Sequence, residues 1–382
     1  MNSIFKFTYI NKTIIMSNFI HFGCWNNLNK GCLENVIQLL KNRLKDAAKP
    51  KIDFLTIAGD NYYPKKQQVD GKKKKIIIPS LLEKGFKSLP PEIPIYMILG
   101  NHDLETKGIE PLVPVEEKDD CSIIKYEKIS KNRNGNIEYN LFKEFMLENG
   151  TLILMIDTSM YSIDVGEYLP CYNYFLQRTF TTAEELRAYQ LGLIIETLTK
   201  YNDRKIKNLI IIGHHPIIGL KIKKGVDARI NDIMRFDNVL KEIYSRLKDT
   251  VNYFYLCADV HLYQEGDIFI KIDDIQTMMI KQYIVGTGGT ELDKCANERN
   301  IGVAINDDPR LTYTMTKCEE KCGFLECINT GNSLSFLFNA VPASGGRNKS
   351  KKSRKQKKSK RKRIIKSKKR KKSRRKTIRV LG

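Results

Sequence analysis

The run PIYMILGNHD, residues 94–103, opens as a short apolar stretch and closes on a glycine followed by Asn101, His102 and Asp103. Four to eight residues rich in Ile, Leu and aromatics, without polar alternation, read as a strand covered on both faces. A buried strand that ends in a polar cluster, not in ordinary turn residues, is how an α/β enzyme presents reactive side chains. The arrangement recurs along the chain. IDFLTIA (52–58) runs into GDNYYP (59–64), KNLIII (207–212) into GHHP (213–216), and NYFYLC (252–257) into ADVHLYQ (258–264). SNFIHF (17–22) ends at Gly23 and leads to Cys24 and Trp25, the only tryptophan, and TLILMID (151–157) is a further buried strand.

Helical patterns lie between these strands. Residues 32–48 place Leu33, Val36, Ile37, Leu40 and Leu44 on one stripe, and another helix fits 231–248. Residues 183–200 follow Thr182, with Glu185 three positions on, which is a capping box. Alternating strands and helices predict an α/β fold. After residue 265 the pattern becomes strand upon strand (267–272, 280–285, 311–316, 323–329, 333–338), which suggests a second, mostly antiparallel sheet. Residues 64–79, with the run GKKKK, and the polar residues 104–137 read as inserted surface loops. No internal repeat is present.

The net charge of +23 suggests a nucleic-acid binder until the charge is located. Residues 346–382 hold 22 of the 66 Lys and Arg and no acid, which leaves +1 for residues 1–345. The chain therefore divides into an N-terminal extension (1–16), a globular domain (17–343) and a basic tail (344–382). The extension lacks an unbroken apolar run and a small-residue cleavage site, so it does not read as a signal peptide, and Met16 is an alternative start. No run is long enough for a membrane span. Nine cysteines, an odd number without regular spacing, argue for free thiols in a reducing compartment. Cys318, Cys322 and Cys327 have loose spacing and no histidine nearby, and read as thiols more readily than as a zinc site. These features predict a soluble, intracellular protein, cytoplasmic or nuclear.

Four of the five histidines, His102, His214, His215 and His261, fall in the strand-end clusters beside Asp and Asn. A lone histidine is usually a satisfied core residue, but four at strand ends point to metal ligands. The order GD, GNHD, GHHP and VH resembles the calcineurin-like metallophosphoesterase family over residues 17 to about 340. GDNYY and the tryptophan after the first strand are similar to its purple (tartrate-resistant) acid phosphatase branch, whose motifs are GDWG, GDNFY, GNHD, GHxP and GHxH. GTGGTELD (286–293) and CGFLEC (322–327) also resemble the later part of that branch.

The resemblance implies a four-layer α/β/β/α sandwich with two mixed sheets. It also implies two cations about 3.5–4 Å apart, clamping the attacking and leaving oxygens while one generates hydroxide. Carried over by position, Cys24, Asp60, Tyr63 and His261 hold the first metal, and Asp60, Asn101, His214 and Asp259 the second, with Asp60 bridging. His102 serves as general acid or phosphate-binding cation with Asp103 orienting its ring, and His215 shapes the substrate pocket.

Two positions depart from the family, which has Asp where this chain has Cys24 and His where it has Asp259. Thiolate and carboxylate are both competent ligands. Asp259 makes the site one unit more anionic, and a thiolate at position 24 tends to reduce ferric iron. The expected cofactors are therefore two divalent ions, zinc or manganese in place of ferric iron. The expected function is metal-dependent phosphate-ester hydrolysis, acid phosphatase-like. The competing expectation is a catalytically silent member of the fold serving as a nucleic-acid-binding or structural component.

The tail begins SGGRNKS, a linker, and is too charged and too poor in apolar residues to form a core, which predicts disorder. Its residues 347–379, including Lys351, Lys352, Lys357, Lys358, Arg361, Lys362, Arg363, Lys368, Lys369, Arg370, Arg374 and Arg375, suit nucleic acid or another polyanion, bound through phosphates without sequence preference. Nuclear targeting and attachment to anionic lipid remain open alternatives for it. The Lys/Ser-rich tail on an Ile/Lys/Asn-rich body resembles proteins of large DNA viruses, which extends the expected location to a virion.

Overall fold

The computed structural model describes residues 18–342 apart from 29–30, 70–71, 105–108, 112–120, 122–135, 148, 163, 203–204, 232, 234–235, 249–250, 303–310 and 331–332. The extension expected over 1–16 and the tail expected over 344–382, with its named lysines and arginines, lie outside the described residues.

Two large mixed sheets make the body. The first runs in the order β19 (Leu334–Ala340), β18 (Gly323–Asn329), β1 (Phe19–Phe22), β2 (Phe54–Ala58), β5 (Ile95–Ile98) and β7 (Ile137–Tyr139). From β1 to β7 the strands are parallel, and β18 and β19 join antiparallel. The second runs β16 (Asn300–Gly302), β17 (Leu311–Glu319), β14 (Tyr263–Lys271), β15 (Thr277–Val285), β13 (Asn252–Cys257), β10 (Asn208–Ile212), β9 (Thr151–Ile156) and β8 (Phe142–Met146). Here β9, β10, β13 and β15 are parallel, and the flanking strands are antiparallel. Every residue of β1, β2, β9 and β10 is buried, which is why their sequences show no alternation.

Aromatic side chains join the sheets face to face. Phe54 of β2 stacks on Phe145 of β8 at 5.4 Å between centroids, and Tyr96 of β5 meets the same ring at 4.6 Å. At the other end Phe336 of β19 packs on Tyr283 of β15 and Phe254 of β13, and Phe338 stacks on Tyr263 of β14 at 4.1 Å. Each such pair adds about 0.5–1.5 kcal/mol beyond its buried area.

Helices complete the four layers. Helix α1 (Leu33–Lys45) packs on β18, with Leu33, Val36, Ile37 and Leu40 inward as expected. Leu44 is only half-buried, and Arg43 takes the inward place, paired with buried Glu326. Helices α2 (Pro79–Ser88) and α3 (Val165–Leu176) were not apparent in the sequence pattern. Helix α4 (Ala183–Lys200) carries the capping box: Thr182 Oγ1 accepts from the Glu185 N–H at 3.2 Å, and the Glu185 carboxylate accepts from the Thr182 N–H at 3.3 Å. Helix α5 (Phe236–Leu247) is shorter than the expected 231–248. No described helix is long and apolar enough to cross a membrane.

Three expectations are corrected. The strands after residue 265 do not form a sheet of their own. β14 to β17 extend the second sheet and β18 and β19 the first, because β1 and β15 each leave an open edge for a returning strand. Within 64–79 the chain forms the hairpin β3 (Lys65–Val69) and β4 (Lys72–Ile77), joined by β6 (Ile109–Pro111); its lysines hid the strand signal. The cysteines are not all free. Cys32–Cys322, Cys121–Cys171 and Cys295–Cys318 are disulfides, and only Cys24, Cys257 and Cys327 are free, all buried. Partners up to 290 residues apart leave no spacing to read, so the argument for a reducing compartment falls with its premise. A hairpin β11 (Gly219–Lys223) and β12 (Val226–Ile230) completes the fold.

The two sheets pinch together just past β1. A Cβ on Gly23 would lie 2.5 Å from the Ala258 Cβ and 2.9 Å from the Ala58 carbonyl oxygen. Gly23→Ala is expected to cost about 1–3 kcal/mol of stability, as overpacking does. Chemical unfolding of the variant against the parent protein checks this, and an unchanged midpoint would contradict the pinch.

Candidate metal centre

The C-terminal ends of five parallel strands supply the centre: β1, β2 and β5 from the first sheet, β10 and β13 from the second. Cys24, Asp60, His214 and Asp259 each stand two residues past the end of their strand, at Phe22, Ala58, Ile212 and Cys257. Cys24, Asp60 and Asp259 have φ of 53°, 52° and 54°, the left-handed region. Non-glycine residues are uncommon there and each costs on the order of 1–3 kcal/mol, a strain that persists where the surroundings over-determine it and that clusters at functional sites.

The Asp60 carboxylate, 1% exposed, faces two donor sets with its two oxygens. On one side Oδ2 accepts from the Tyr63 hydroxyl at 2.8 Å and from the Cys24 thiol at 3.7 Å, and the Tyr63 oxygen lies 3.2 Å from His261 Nε2. On the other, Oδ1 lies 3.4 Å from His214 Nε2 and accepts from the His102 N–H at 3.1 Å. His214 Nε2 is also 3.0 Å from Asn101 Oδ1 and 3.8 Å from Asp259 Oδ1. The ligand atoms of Cys24, Asp60 and His261 all fall within 4.8 Å of one another, as do those of His214, His215 and Asp259. All the residues expected at the centre are therefore brought together.

The histidine tautomers follow from their other contacts. His214 Nδ1 is 2.6 Å from the Ala58 carbonyl and His261 Nδ1 is 3.1 Å from the Glu291 carbonyl. A carbonyl only accepts, so each Nδ1 carries hydrogen and Nε2 is the nitrogen turned into the centre. Around His214 that nitrogen faces oxygens of Asn101, Asp60 and Asp259. Burial works to lower His214, but the charges of Asp60 and Asp259 and the Ala58 carbonyl raise it, so the position calls for positive charge, a proton on Nε2 or a metal ion; backbone carbonyls behind the rings are the usual support of metal-binding histidines. The residues present thus fit a bound metal.

Electrostatics point the same way. Burial works to raise the Asp60 carboxyl, but His214 and His102, with Tyr63 and His261 behind them, hold it below the usual carboxylate range. Burial and then the Asp60 charge push the Cys24 thiol and the Tyr63 phenol well up. Burial and neighbouring His214 lower His215 to about 4.

Other residues hold the frame. Asp103, expected to orient His102, accepts from the Asn61 N–H (2.8 Å), Asn61 Nδ2 (2.9 Å) and the Gly100 N–H (2.8 Å), locking the loop after β2 to the loop after β5. The Trp25 indole donates to Asn61 Oδ1 at 3.1 Å, so the lone tryptophan braces this lock. The His102 ring lies 4.9 Å from Tyr63. Sequence reading passed over Asn61, Thr158 and Asp293, although Asp157 and Thr158 end a buried strand like the clusters it did use. Asp293 accepts from the His261 N–H and from Lys221 Nζ.

The fold and the site define an α/β protein of the metal-dependent phosphoesterase class. Residues 17–261 match the model of the calcineurin-like phosphoesterases, and the chain belongs to that family. Among solved structures it is similar to the purple acid phosphatase PPD1 from yellow lupin (Lupinus luteus) seeds, with a TM-score of 0.51 and 13% identity over 85% of this chain and 51% of that one. The chain thus spans about half the length of the lupin protein. It also resembles GAP50, the anchor in the inner membrane complex of Plasmodium, with a TM-score of 0.43 and 14% identity over 86% of each chain. No curated protein matches in sequence.

Asp157, buried behind the centre, is pushed up to about 7 by burial, against the bonds from Ser159 and Tyr172. Between the unfolded value near 3.8 and about 7 the folded state holds a proton that the unfolded chain has released. This group's contribution to stability is therefore full below the unfolded value and is lost as pH rises through 7. Asp157→Asn removes the dependence. Its stability relative to the parent is expected to rise between pH 5 and pH 8 by about 1–4 kcal/mol, read from melting curves of both proteins; a constant difference refutes the assignment.

Proposed function

We infer that this chain hydrolyses phosphate esters at a dinuclear metal centre, in the manner of an acid phosphatase. The observation that carries the reading is the Asp60 carboxylate, whose two oxygens face two separate sets of metal-ligating atoms, Cys24, Tyr63 and His261 on one side and Asn101, His214 and Asp259 on the other. Cys24, Asp60, Tyr63 and His261 would hold one ion, and Asp60, Asn101, His214 and Asp259 the other. When bound, the pair supplies Lewis acidity toward a phosphoryl oxygen and lowers the pKa of a coordinated water.

The remaining work falls to the chain's own groups. Asp60 sets the separation of the two donor sets, since its two oxygens are the atoms they share. His102 stands on a backbone N–H bonded to Asp60 and beside Tyr63, from which its ring can bind phosphate or give a proton to the leaving oxygen. Asp103 keeps that loop in place through Asn61 and Gly100.

A thiol ligand at Cys24 favours zinc, and carboxylate ligands also accept manganese. Cys24 loses its proton on binding, since thiolate is the ligand form. Ferric iron is disfavoured because a thiolate at this position reduces it.

Purified full-length protein is expected to hold two zinc or manganese ions per chain by mass spectrometry and to hydrolyse a chromogenic phosphate ester. Asp60→Asn should lower both metal content and turnover by about a hundredfold or more. Cobalt-loaded protein should show sulfur-to-cobalt absorption in the near ultraviolet that Cys24→Ala abolishes. A visible tyrosinate-to-iron band would overturn the metal choice, and a metal-free, inactive chain would favour a silent binding protein.

For the basic segment 347–379, its sequence supports contact with nucleic acid or another polyanion. Affinity for duplex DNA should be independent of sequence, fall steeply between 50 and 200 mM salt, on the order of a thousandfold, and vanish in a chain ending at residue 342. Equal affinity with and without the segment contradicts this.

A further inference from the structure

β9 ends at Ile156, and the next residues enter a 3-10 turn (Thr158–Tyr161) buried at every position. Asp157 secures the turn. Its Oδ1 accepts from the Ser159 N–H at 2.8 Å, its Oδ2 from the Tyr172 hydroxyl at 3.0 Å, and its carbonyl from Gln190 Nε2 at 3.3 Å. Thr158 is thereby fixed with no exposure, against the loop that carries His214 and His215.

Four groups meet the Thr158 hydroxyl: the N–H of His214 at 2.9 Å, the N–H of His215 at 2.9 Å, Nδ1 of His215 at 3.2 Å and the hydroxyl of Tyr255. A hydroxyl offers two lone pairs and one proton. The two backbone donors take both lone pairs, so a hydrogen on Nδ1 of His215 would point at an oxygen with none left; Nδ1 is therefore the accepting side of its contact, with the Tyr255 oxygen the other group within reach of the hydroxyl proton. The ring hydrogen therefore sits on Nε2. The His215 carbonyl accepts from the Tyr255 hydroxyl at 2.6 Å, which holds the backbone of the same residue. Only glycine fits at position 213, where a Cβ would lie 2.5 Å from both the Thr158 methyl and the Tyr255 hydroxyl oxygen. A ring nitrogen of His215 lies within 4.8 Å of ligand atoms of His214 and Asp259.

We propose that Thr158 is a positioning residue that fixes His215 as an Nε2–H donor to a phosphate oxygen of the substrate and withholds it from metal coordination. One hydroxyl then does two things: it shapes the backbone that presents the metal-binding His214, and it sets the hydrogen-bonding sense of the neighbouring ring. The substrate contact rests on the phosphoesterase reading above, whereas the tautomer stands on the hydrogen bonds alone.

Long-range proton–nitrogen NMR of full-length, nitrogen-15-labelled protein at neutral pH tests both parts, with His215 assigned through His215→Gln. The wild-type ring is expected in the Nε2–H form, and inorganic phosphate added to zinc-loaded protein is expected to shift that proton's resonance. Thr158→Ser keeps the form; Thr158→Val loses it and lowers kcat/KM for the chromogenic ester by about 10–100-fold, as loss of a supporting partner does, with Ser recovering most of the activity. An Nδ1–H form in the wild type, a metal-bound His215 nitrogen, or Val and Ser variants both matching wild type overturns the proposal. Should the Val variant fail to fold, the wild-type spectrum and the Ser variant decide. If the chain is inactive on every ester, the phosphoesterase reading fails separately, and the ring spectrum still tests the hold of Thr158.

Discussion

Asp60 is the point on which the rest of the structure turns. A carboxylate with 1% exposure loses nearly all its hydration, a cost that only nearby positive charge or strong donors can offset. The fold meets this demand by aiming five strand ends at it from two sheets. Its Oδ2 takes Tyr63 and Cys24, and its Oδ1 takes the His102 backbone and lies beside His214. Because its neighbours come from both sheets, anything that shifts one sheet against the other pulls at this carboxylate. The aromatic seam from Phe54–Phe145 to Tyr263–Phe338 and the pinch at Gly23 are the features that prevent such a shift.

Strain and support are distributed accordingly. Asp60 and Asp259 belong to residue types that tolerate the left-handed region, which lowers the cost of φ near 52–54° at these positions. Behind them stands an apolar frame made rigid by a few buried polar bonds. Asp103 ties two loops through Asn61, Trp25 braces Asn61, and Thr158 ties the loop of His214 and His215 to β9. Each of these groups has its partners inside the protein, so the loops keep one arrangement and the donors keep their aim.

The elements legible in the sequence were those whose signal is local. Fully buried strands such as 208–212 announce themselves as apolar runs, and polar residues following them stand out because nothing in a turn requires a histidine. The capping box at Thr182 and Glu185 is likewise a four-residue pattern. What could not be read depends on distant partners. Cys32 and Cys322 are joined across 290 residues, and Arg43 is admitted to the core only because Glu326 waits there on β18. The hairpin at 65–77 carries lysines where an isolated strand would show apolar alternation, and its pairing is supplied by the facing strand and by 109–111. Thr158 had a local signal, a polar strand end, but a single threonine announces no metal chemistry; its importance lies in contacts 56 and 57 residues away.

Cys24 is the residue for which local preference gives no account. Asn, Asp and His are the types enriched at positive φ, so at 53° the backbone itself would be better served by an aspartate than by a thiol. Burial and the charge of Asp60 both work against the thiolate in the absence of a cation. A cysteine here is therefore unfavourable for the backbone and, if ionised, unfavourable for the charge balance. A bound ion reverses the second term, because sulfur then donates to a positive centre and no longer stands as an isolated anion beside a carboxylate. Asp259 adds to the same balance from the other donor set, where a carboxylate oxygen 3.8 Å from His214 Nε2 raises the negative potential that draws a cation. Asp259 thus adds negative charge and Cys24 a soft donor, which on the reading proposed above would favour a thiophilic divalent ion.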